Sequence, residues 1–314
     1  MMNQEKYIVG IGAANVDIHG RSINPLNMRD SNPGRMHVSC GGVTRNILEN
    51  YARLGGKACL LTVVGSDIYG QKILSESALA GIDVSHVMSY DNHSSSTYMS
   101  ILDNDGDMAV ALSDMSIMED FSIDYLEKND ELLRNCSLIV CDPSIPLEVM
   151  DHVLDNYGRE IPVFVDPVSI SYAGCIKNKI GKFFAAKPNV LECELLSSMK
   201  ITDKESLIQA AKKVIDQGLD EIYVSLGKDG CMYMDKHGQL LWSSLEPLEE
   251  VVNATGAGDA FMATIIYGYM HDFARQKTLD YASAAGIAAI MSPDTINKNI
   301  SIGLIEKILE EKRK

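Results

Sequence analysis

The chain has 314 residues, 46% hydrophobic and 23% charged, an ordinary globular composition sufficient for one large α/β domain. Its formal net charge of −15 and pI near 4.9 exclude a broad surface for nucleic acid or an anionic membrane, though not a small anionic ligand held by local amides and a lysine. The uncharged apolar stretches are too short to span a bilayer, and the charged Met1 to Lys6 leads straight into an apolar run, unlike a signal peptide. A cytoplasmic protein is expected. The seven cysteines form no CxxC pair and the histidines stand singly, so neither disulfides nor a side-chain zinc cage is expected.

Taken in order, apolar runs alternate with helical patterns. Tyr7 to Ile11 reads as a strand entering a turn at Gly12, and Asp17 to Arg21 and Met36 to Ser39 as extended pieces. Val43 to Leu54 has helical spacing and stops at Gly55-Gly56. Ala58 to Val64 reads as one continuous strand, followed by a helix from Tyr69 to Ala80 that Asp67 caps. Ser95 to Leu102 and Met108 to Leu112 flank Asp103-Asn104-Asp105-Gly106-Asp107, a hairpin signature. Leu138–Cys141, Val163–Val165 and Ile222–Ser225 are short runs apolar on both faces, the mark of a covered parallel sheet. Thr202 and Glu205 read as a capping box for a helix running to Gln217, where Gly218 stops it. Further helices are predicted at Gly258 to Met270, Thr278 to Met291 and Ile302 to Lys312. The expected architecture is a doubly wound, mostly parallel sheet with helices on both faces, a single domain over 1–314. A small antiparallel β-sheet lid, from about 17–39 and 88–114, would cover a ligand or form a dimer surface.

The most informative segment is Asn253-Ala254-Thr255-Gly256-Ala257-Gly258-Asp259-Ala260-Phe261. It reads as a tight glycine turn opening onto a helix, whose free amides and dipole attract an anion. Asp259 lies at that positive end, so it is expected to be ionised and available as a base. Amides that bind an anion beside a carboxylate are what phosphoryl transfer to a hydroxyl requires. Five more motifs accompany it. Asn15 and Asp17 follow the first strand, where a carboxylate can accept two hydrogen bonds from a vicinal diol. Gly41-Gly42 opens a helix that carries Asn46, and Val64-Gly65-Ser66-Asp67 closes a strand. In Lys187-Pro188-Asn189-Val190-Leu191-Glu192, an amide oxygen and a carboxylate three residues apart suit a hydrated Mg²⁺, and equally a helix start. Ser225-Leu226-Gly227-Lys228-Asp229-Gly230 could wrap nucleotide phosphates.

In this order the six motifs resemble the ribokinase-like, or PfkB, carbohydrate and nucleoside kinases, from Tyr7 to about Met291. The resemblance implies an ATP- and Mg²⁺-dependent kinase whose lid covers the substrate and mediates a homodimer. It makes Asp259 the base and the amides of Gly256, Ala257 and Gly258 the anion hole. Asn15, Asp17, Gly41, Gly42 and Asn46 would hold the sugar, with Asp166 on the substrate side. Asn189 and Glu192 would organise Mg²⁺ through water. Lys187, Asn189, Ser225, Gly227, Gly230 and Thr255 would serve the nucleotide, whose adenine would sit near 284–297. Many members carry Asp where Asn253 stands, six residues before the base, so K⁺ dependence is doubtful here. Within the family, Asp30-Ser31-Asn32-Pro33-Gly34, Ser100-Ile101-Leu102-Asp103-Asn104, Ser113-Asp114-Met115 and Val165-Asp166-Pro167-Val168-Ser169 resemble the members that phosphorylate the 5′-hydroxyl of pseudouridine. Thr97, Ser100 and Asp114 are the lid residues expected to contact the base. The alternatives are a kinase for ribose, fructose, uridine or adenosine, and a non-catalytic nucleoside sensor, against which the intact Asp259 and glycine turn speak. A dinucleotide oxidoreductase fits poorly, because Gly10-Ile11-Gly12 runs on into Ala13-Ala14-Asn15 without a GxGxxG.

Overall fold

The computed structural model describes residues 6–248, 253 and 255–312; Met1 to Glu5 and Ala254, which figure in the sequence reading, lie outside these. Among the described residues, nine strands form the main sheet, in the order Leu240–Ser243, Cys231–Asp235, Glu221–Ser225, Ala185–Ala186, Val163–Val165, Leu138–Cys141, Ile8–Ile11, Ala58–Leu61, Ile82–Asp83. From Glu221–Ser225 to Ile82–Asp83 every pairing is parallel, and the two strands beyond Glu221–Ser225 pair antiparallel.

Each central strand buries both faces. Val9 and Ile11 enter the core shared with the helices at 147–156, 190–197 and 204–215, whereas Ile8 points to the core beneath Val43–Arg53 and Ala257–Met270. Gly10 permits the second contact, since a Cβ there would lie 2.6 Å from Leu48. The helix Val43–Arg53 therefore packs close against the first strand and aims its amino end at the strand's carboxyl end.

Four strands make the lid, in the order Gly34–Gly41, Asn15–Ser22, Thr97–Leu102, Met108–Asp114. The outer pairings are antiparallel, but Asn15–Ser22 and Thr97–Leu102 run parallel, so the expected all-antiparallel sheet is corrected in its central pair. Asn15–Ser22 is hydrogen-bonded between its hairpin partner Gly34–Gly41 and the later hairpin, and both hairpins start from the main domain in the same direction. Side chains alternate in register. One face carries Asn15, Asp17, His19, Ser39, Tyr98 and Ser100, and the other carries Met36, Val38, Met99, Val110 and Leu112, all five exposed.

Two further expectations are corrected. The run Ala58 to Val64 breaks at Thr62: Val63–Gly65 leaves the main sheet and pairs with Met88–Tyr90. The helix Lys204–Ile215 is capped by Asp203 with Ser206, not by Thr202 with Glu205. Both pairs have capping-box spacing, but a carboxylate is the better partner for the positive helix end. Asp67 caps Ile68–Leu79 as expected, accepting from Gly70 N–H at 2.7 Å, and it also accepts from the Ser95 amide (2.9 Å) and hydroxyl (2.7 Å) ahead of the lid. Asp67→Ala is expected to cost about 1–2 kcal/mol, read as a lower urea midpoint at unchanged slope.

Candidate active site

The parallel strands deliver a row of chemistry at their carboxyl ends. Just beyond four neighbouring strands stand Gly12, Asp142, Asp166 and Lys187, and Ser225 ends the fifth. Ligands bind here in open α/β sheets because helix amino ends converge on it and loops, not strands, cover it. Asp142 is buried and fully engaged. One oxygen accepts from the Thr44 amide (3.1 Å) and hydroxyl (2.7 Å), the other from the Ser144 amide (2.9 Å) and hydroxyl. A Cβ at Gly12 would lie 2.5 Å from Asp142 Oδ2, so the glycine beside the first strand leaves room for this pin between the end of Leu138–Cys141 and the first helix.

Opposite the row, Gly256 adopts φ 83 and caps the helix Ala257–Met270. A Cβ on Gly256 would sit 1.9 Å from the Thr295 carbonyl oxygen, so both conformation and space demand glycine. The turn's first helical bond runs from Ala260 N–H to Gly256 O at 3.0 Å, which leaves the amides before Ala260 without helical partners. Asn253 ties this turn to its neighbour, accepting from Thr255 N–H (3.0 Å) and donating to the Pro293 carbonyl (3.1 Å).

Asp259 lies at the start of that helix, 9% exposed, and accepts from Asn46 Nδ2 at 2.9 Å. Burial first, and then the Asp166 carboxylate, push its carboxyl up to about 7, against the pull of Asn46 and Lys187. The expectation of a fully ionised Asp259 is thereby corrected to a carboxyl poised near neutrality, because burial outweighs the helix end. A general base is most effective when its pKa is near the working pH. Lys187 Nζ stands 3.2 Å from Asp166 Oδ2, and a Cβ on Gly258 would lie 3.2 Å from the same ammonium. Burial alone would lower the lysine, but Asp166, Glu192 and Asp259 outweigh it and hold it above its ordinary value. A cation and the free amides thus flank one position beside the carboxyl.

Asn189 caps Val190–Ser197 in a reciprocal box with Glu192, which is buried and raised above its ordinary carboxylate value chiefly by desolvation. Glu192 accepts Asn189 N–H (2.9 Å) at one oxygen and Asn189 Nδ2 (2.8 Å) at the other. Each oxygen keeps a further lone pair, so the pair suits a hydrated Mg²⁺. Asn189 also bridges to Ser225, bringing the two nucleotide-side motifs together. Gly227 and Gly230 take φ of 61 and 94 in the loop that follows. Gly286 faces the glycine turn from the helix Arg275–Ile290, with a Cβ there 3.9 Å from Ala257 O.

On the lid, Asn15 Nδ2 donates to Asp17 Oδ1 at 2.6 Å, and Gly41 leaves room for the Asp17 carboxylate, which a Cβ would meet at 2.2 Å. Desolvation raises Asp17, opposed by Asn15. Gly42 takes φ 97 at the helix start, where a Cβ would meet Ala13 O. Ser100 shares the Asp17 face, but Thr97 and Asp114 pair with each other across the opposite face. Thr97 donates to the Ser95 carbonyl and Asp114 accepts from Ser116, so neither is turned to the side that Asp17 occupies. His19, which sequence reading passed over, bonds Ser100 Oγ through Nδ1 at 2.6 Å on the Asp17 face. Its position two residues after Asp17 was the available signal. Asp142 was likewise missed, since one aspartate after an apolar run resembles any turn. Among the described residues, Cys59, Asp83 and His86 bring ligand-type atoms within 4.8 Å of one another at the sheet edge, a grouping the sequence did not predict.

A buried carboxyl at a helix start, helix amides without helical partners and a lid carboxylate are gathered at one end of the sheet, an arrangement chemically suited to phosphoryl transfer to an alcohol. Residues 5–302 match the model of the pfkB family carbohydrate kinases, and the chain belongs to that family. It is 36% identical over 310 residues to pseudouridine kinase of Escherichia coli strain K12, covering 98% of each chain. Among solved structures, a Clostridium perfringens protein described as a sugar kinase superposes with a TM-score of 0.88 at 31% identity, over 99% of this chain and 97% of that one. An Escherichia coli ribokinase II solved with ATP and Mg²⁺ superposes with a TM-score of 0.84 at 18% identity, over 98% and 99%, a likeness of fold. Membership of the pfkB family makes this chain a carbohydrate-kinase relative, and no helix among the described residues is long and apolar enough to cross a membrane.

Three outcomes are expected. The acid limb of log kcat/KM should bend near pH 7, where Asp259 loses its proton, and the rate should fall tenfold per unit below it. Asp259→Asn should lower kcat by about 10²–10⁴ in a coupled turnover assay. Its folded-state value exceeds the ordinary 3.8, so ionisation costs stability increasingly from there up to about 7; the Asn variant should match or exceed the wild-type Tm at pH 8.

Proposed function

We propose that this protein is a pseudouridine kinase, transferring the terminal phosphoryl group of ATP to the nucleoside 5′-hydroxyl. The observation that carries the substrate is the full-length match to a pseudouridine kinase, and the four local sequence features support it. The Asp17 carboxylate, with Asn15 and Gly42 beside it, accepts hydrogen bonds from the ribose hydroxyls. Asp259 takes the 5′-hydroxyl proton as its oxygen bonds to phosphorus and the bond from phosphorus to the ADP oxygen breaks. The amides of Gly256, Ala257 and Gly258, with Lys187, hold the charge of the phosphoryl group in flight. Ser225, Gly227, Gly230 and Thr255 line the nucleotide side, with adenine toward 284–297. Asn189 and Glu192 would hold a hydrated Mg²⁺, whose charge neutralises the nucleotide phosphates when bound. Asn253 donates its NH₂ to the Pro293 carbonyl and brings no carboxylate charge, so a K⁺ held there would rest on backbone oxygens alone.

The base of pseudouridine is joined through carbon and offers an N–H that uridine lacks. His19 and Ser100, which are bonded to each other on the Asp17 face, would accept from it. An unmade hydrogen bond of this kind disfavours uridine by about 1–3 kcal/mol. The apolar lid face fits a second copy of the chain, giving a homodimer, since five exposed hydrophobic side chains share it.

Pseudouridine, uridine, cytidine, adenosine, ribose and fructose assayed side by side for ATP consumption test the substrate. Pseudouridine should lead in kcat/KM, and His19→Ala should narrow its lead over uridine. A higher kcat/KM for another acceptor would reject the assignment. Asp17→Ala should raise the nucleoside KM far more than that for ATP, and equal weakening would remove the diol role. Leu112→Lys should shift sedimentation from dimer to monomer, and a wild-type protein that sediments as a monomer would refute the lid interface.

A further inference from the structure

Asn46 can serve Asp259 only if its amide is turned the right way. Its Nδ2 donates to the carboxylate, so its Oδ1 must find a donor elsewhere. That donor is Arg45 Nη1, at 3.3 Å. A guanidinium has no acceptor, so it admits the oxygen of Asn46 and rejects the nitrogen. Arg45 is itself immobilised, 2% exposed, with Nε on Ser77 Oγ at 3.0 Å and Nη2 on Glu49 Oε2 at 2.7 Å. The second oxygen of Glu49 receives Arg53 at 2.6 Å, and Arg53 Nη1 donates to the Lys298 carbonyl at 3.0 Å. Lys298 lies in the segment after Arg275–Ile290 whose Thr295 carbonyl touches the glycine turn. One chain of hydrogen bonds therefore runs along a helix, from the solvent-exposed Arg53–Lys298 contact on the glycine-turn side through buried Glu49, Arg45 and Asn46 to Asp259.

We propose that Arg45, locked by Glu49 and Ser77, is a positioning residue that fixes the Asn46 amide with its NH₂ toward Asp259. Arg45 touches no reacting atom. A buried arginine whose charge Glu49 already meets still spends a third donor on one neighbouring side chain, and that side chain holds the base. Without the fork, Asn46 can turn its oxygen to Asp259, replacing a donor by a repelling acceptor. Besides Asn46, the groups facing Asp259 are Asp166, Lys187 and Asp142, each from the end of a different strand and none altered by an Arg45 substitution.

This inference rests on Asp259 being the base, so the test separates the two. The pH dependence of kcat/KM with pseudouridine and ATP would be measured for wild type, Arg45→Lys, the milder Ser77→Ala, and Leu48→Ala, which loosens the same helix without touching Asn46. Rates are normalised to the folded fraction from circular dichroism. Arg45→Lys should move the acid limb up by about half a pH unit or more, with a loss of about twofold or more at pH 7 that shrinks at pH 9, and with the ATP KM unchanged. Ser77→Ala should move it the same way by less, and Leu48→Ala should leave it in place. Limbs unmoved in both Arg45→Lys and Ser77→Ala would overturn the proposal, as would an equal shift in Leu48→Ala. Wild-type turnover by Asp259→Asn would overturn the base reading itself, and this inference with it.

Discussion

The structure depends on keeping one carboxyl out of water beside other charges, at the amino end of a helix, without locking it in either protonation state. Asp259 is surrounded by unlike influences. Desolvation and Asp166 favour its protonated form, while Asn46 and Lys187 favour its charge. A surface aspartate would stay ionised and weakly basic. An aspartate buried among apolar groups alone would stay protonated. The fold sets the balance by ending successive strands in Asp142, Asp166 and Lys187, so that the sheet's spacing fixes how close these charges come.

Rigidity elsewhere serves that balance. Asp142 pins the first helix to the loop after Leu138–Cys141, and the same helix carries Asn46 and the Arg45–Glu49–Arg53 series. Gly10, Gly12 and Gly256 are where the chain could not accept a Cβ without moving strand, helix or turn apart. The lid supplies the complementary half. One face carries Asp17 and His19, and the other carries the exposed side chains Met36, Val38, Met99, Val110 and Leu112.

The fold was legible where local chemistry decided it. Glycine turns, apolar runs and most helix stops depend on neighbours within a few residues, so Val43–Arg53, Ala257–Met270 and the central strands fell within a residue or two of expectation. Elements set by tertiary pairing were not. Nothing local marks Thr62 as the point where a strand changes sheet, or tells which of two overlapping signatures caps Lys204–Ile215. At the site, Asp259, Asn46 and the glycine turn announced themselves by motif. The contacts of Asp166 and Lys187 come from strand order, which the sequence does not spell out. Thr97 and Asp114 lie on the sheet face opposite Asp17, and Ser100 lies on the same face as Asp17, because side chains alternate every two residues along the paired strands.

The central claim is that Asp259 is poised near neutrality by its buried neighbours, and it can be read without turnover. Carbon-13 NMR of protein labelled at the aspartate carboxyls, titrated from pH 4 to 9, would follow Asp259 directly, with its resonance identified by its loss in Asp259→Asn. The structure predicts a midpoint at about 7. A midpoint near the ordinary 3.8 would mean that the carboxylate is charged throughout the working range and that the strand-end cluster does not tune it.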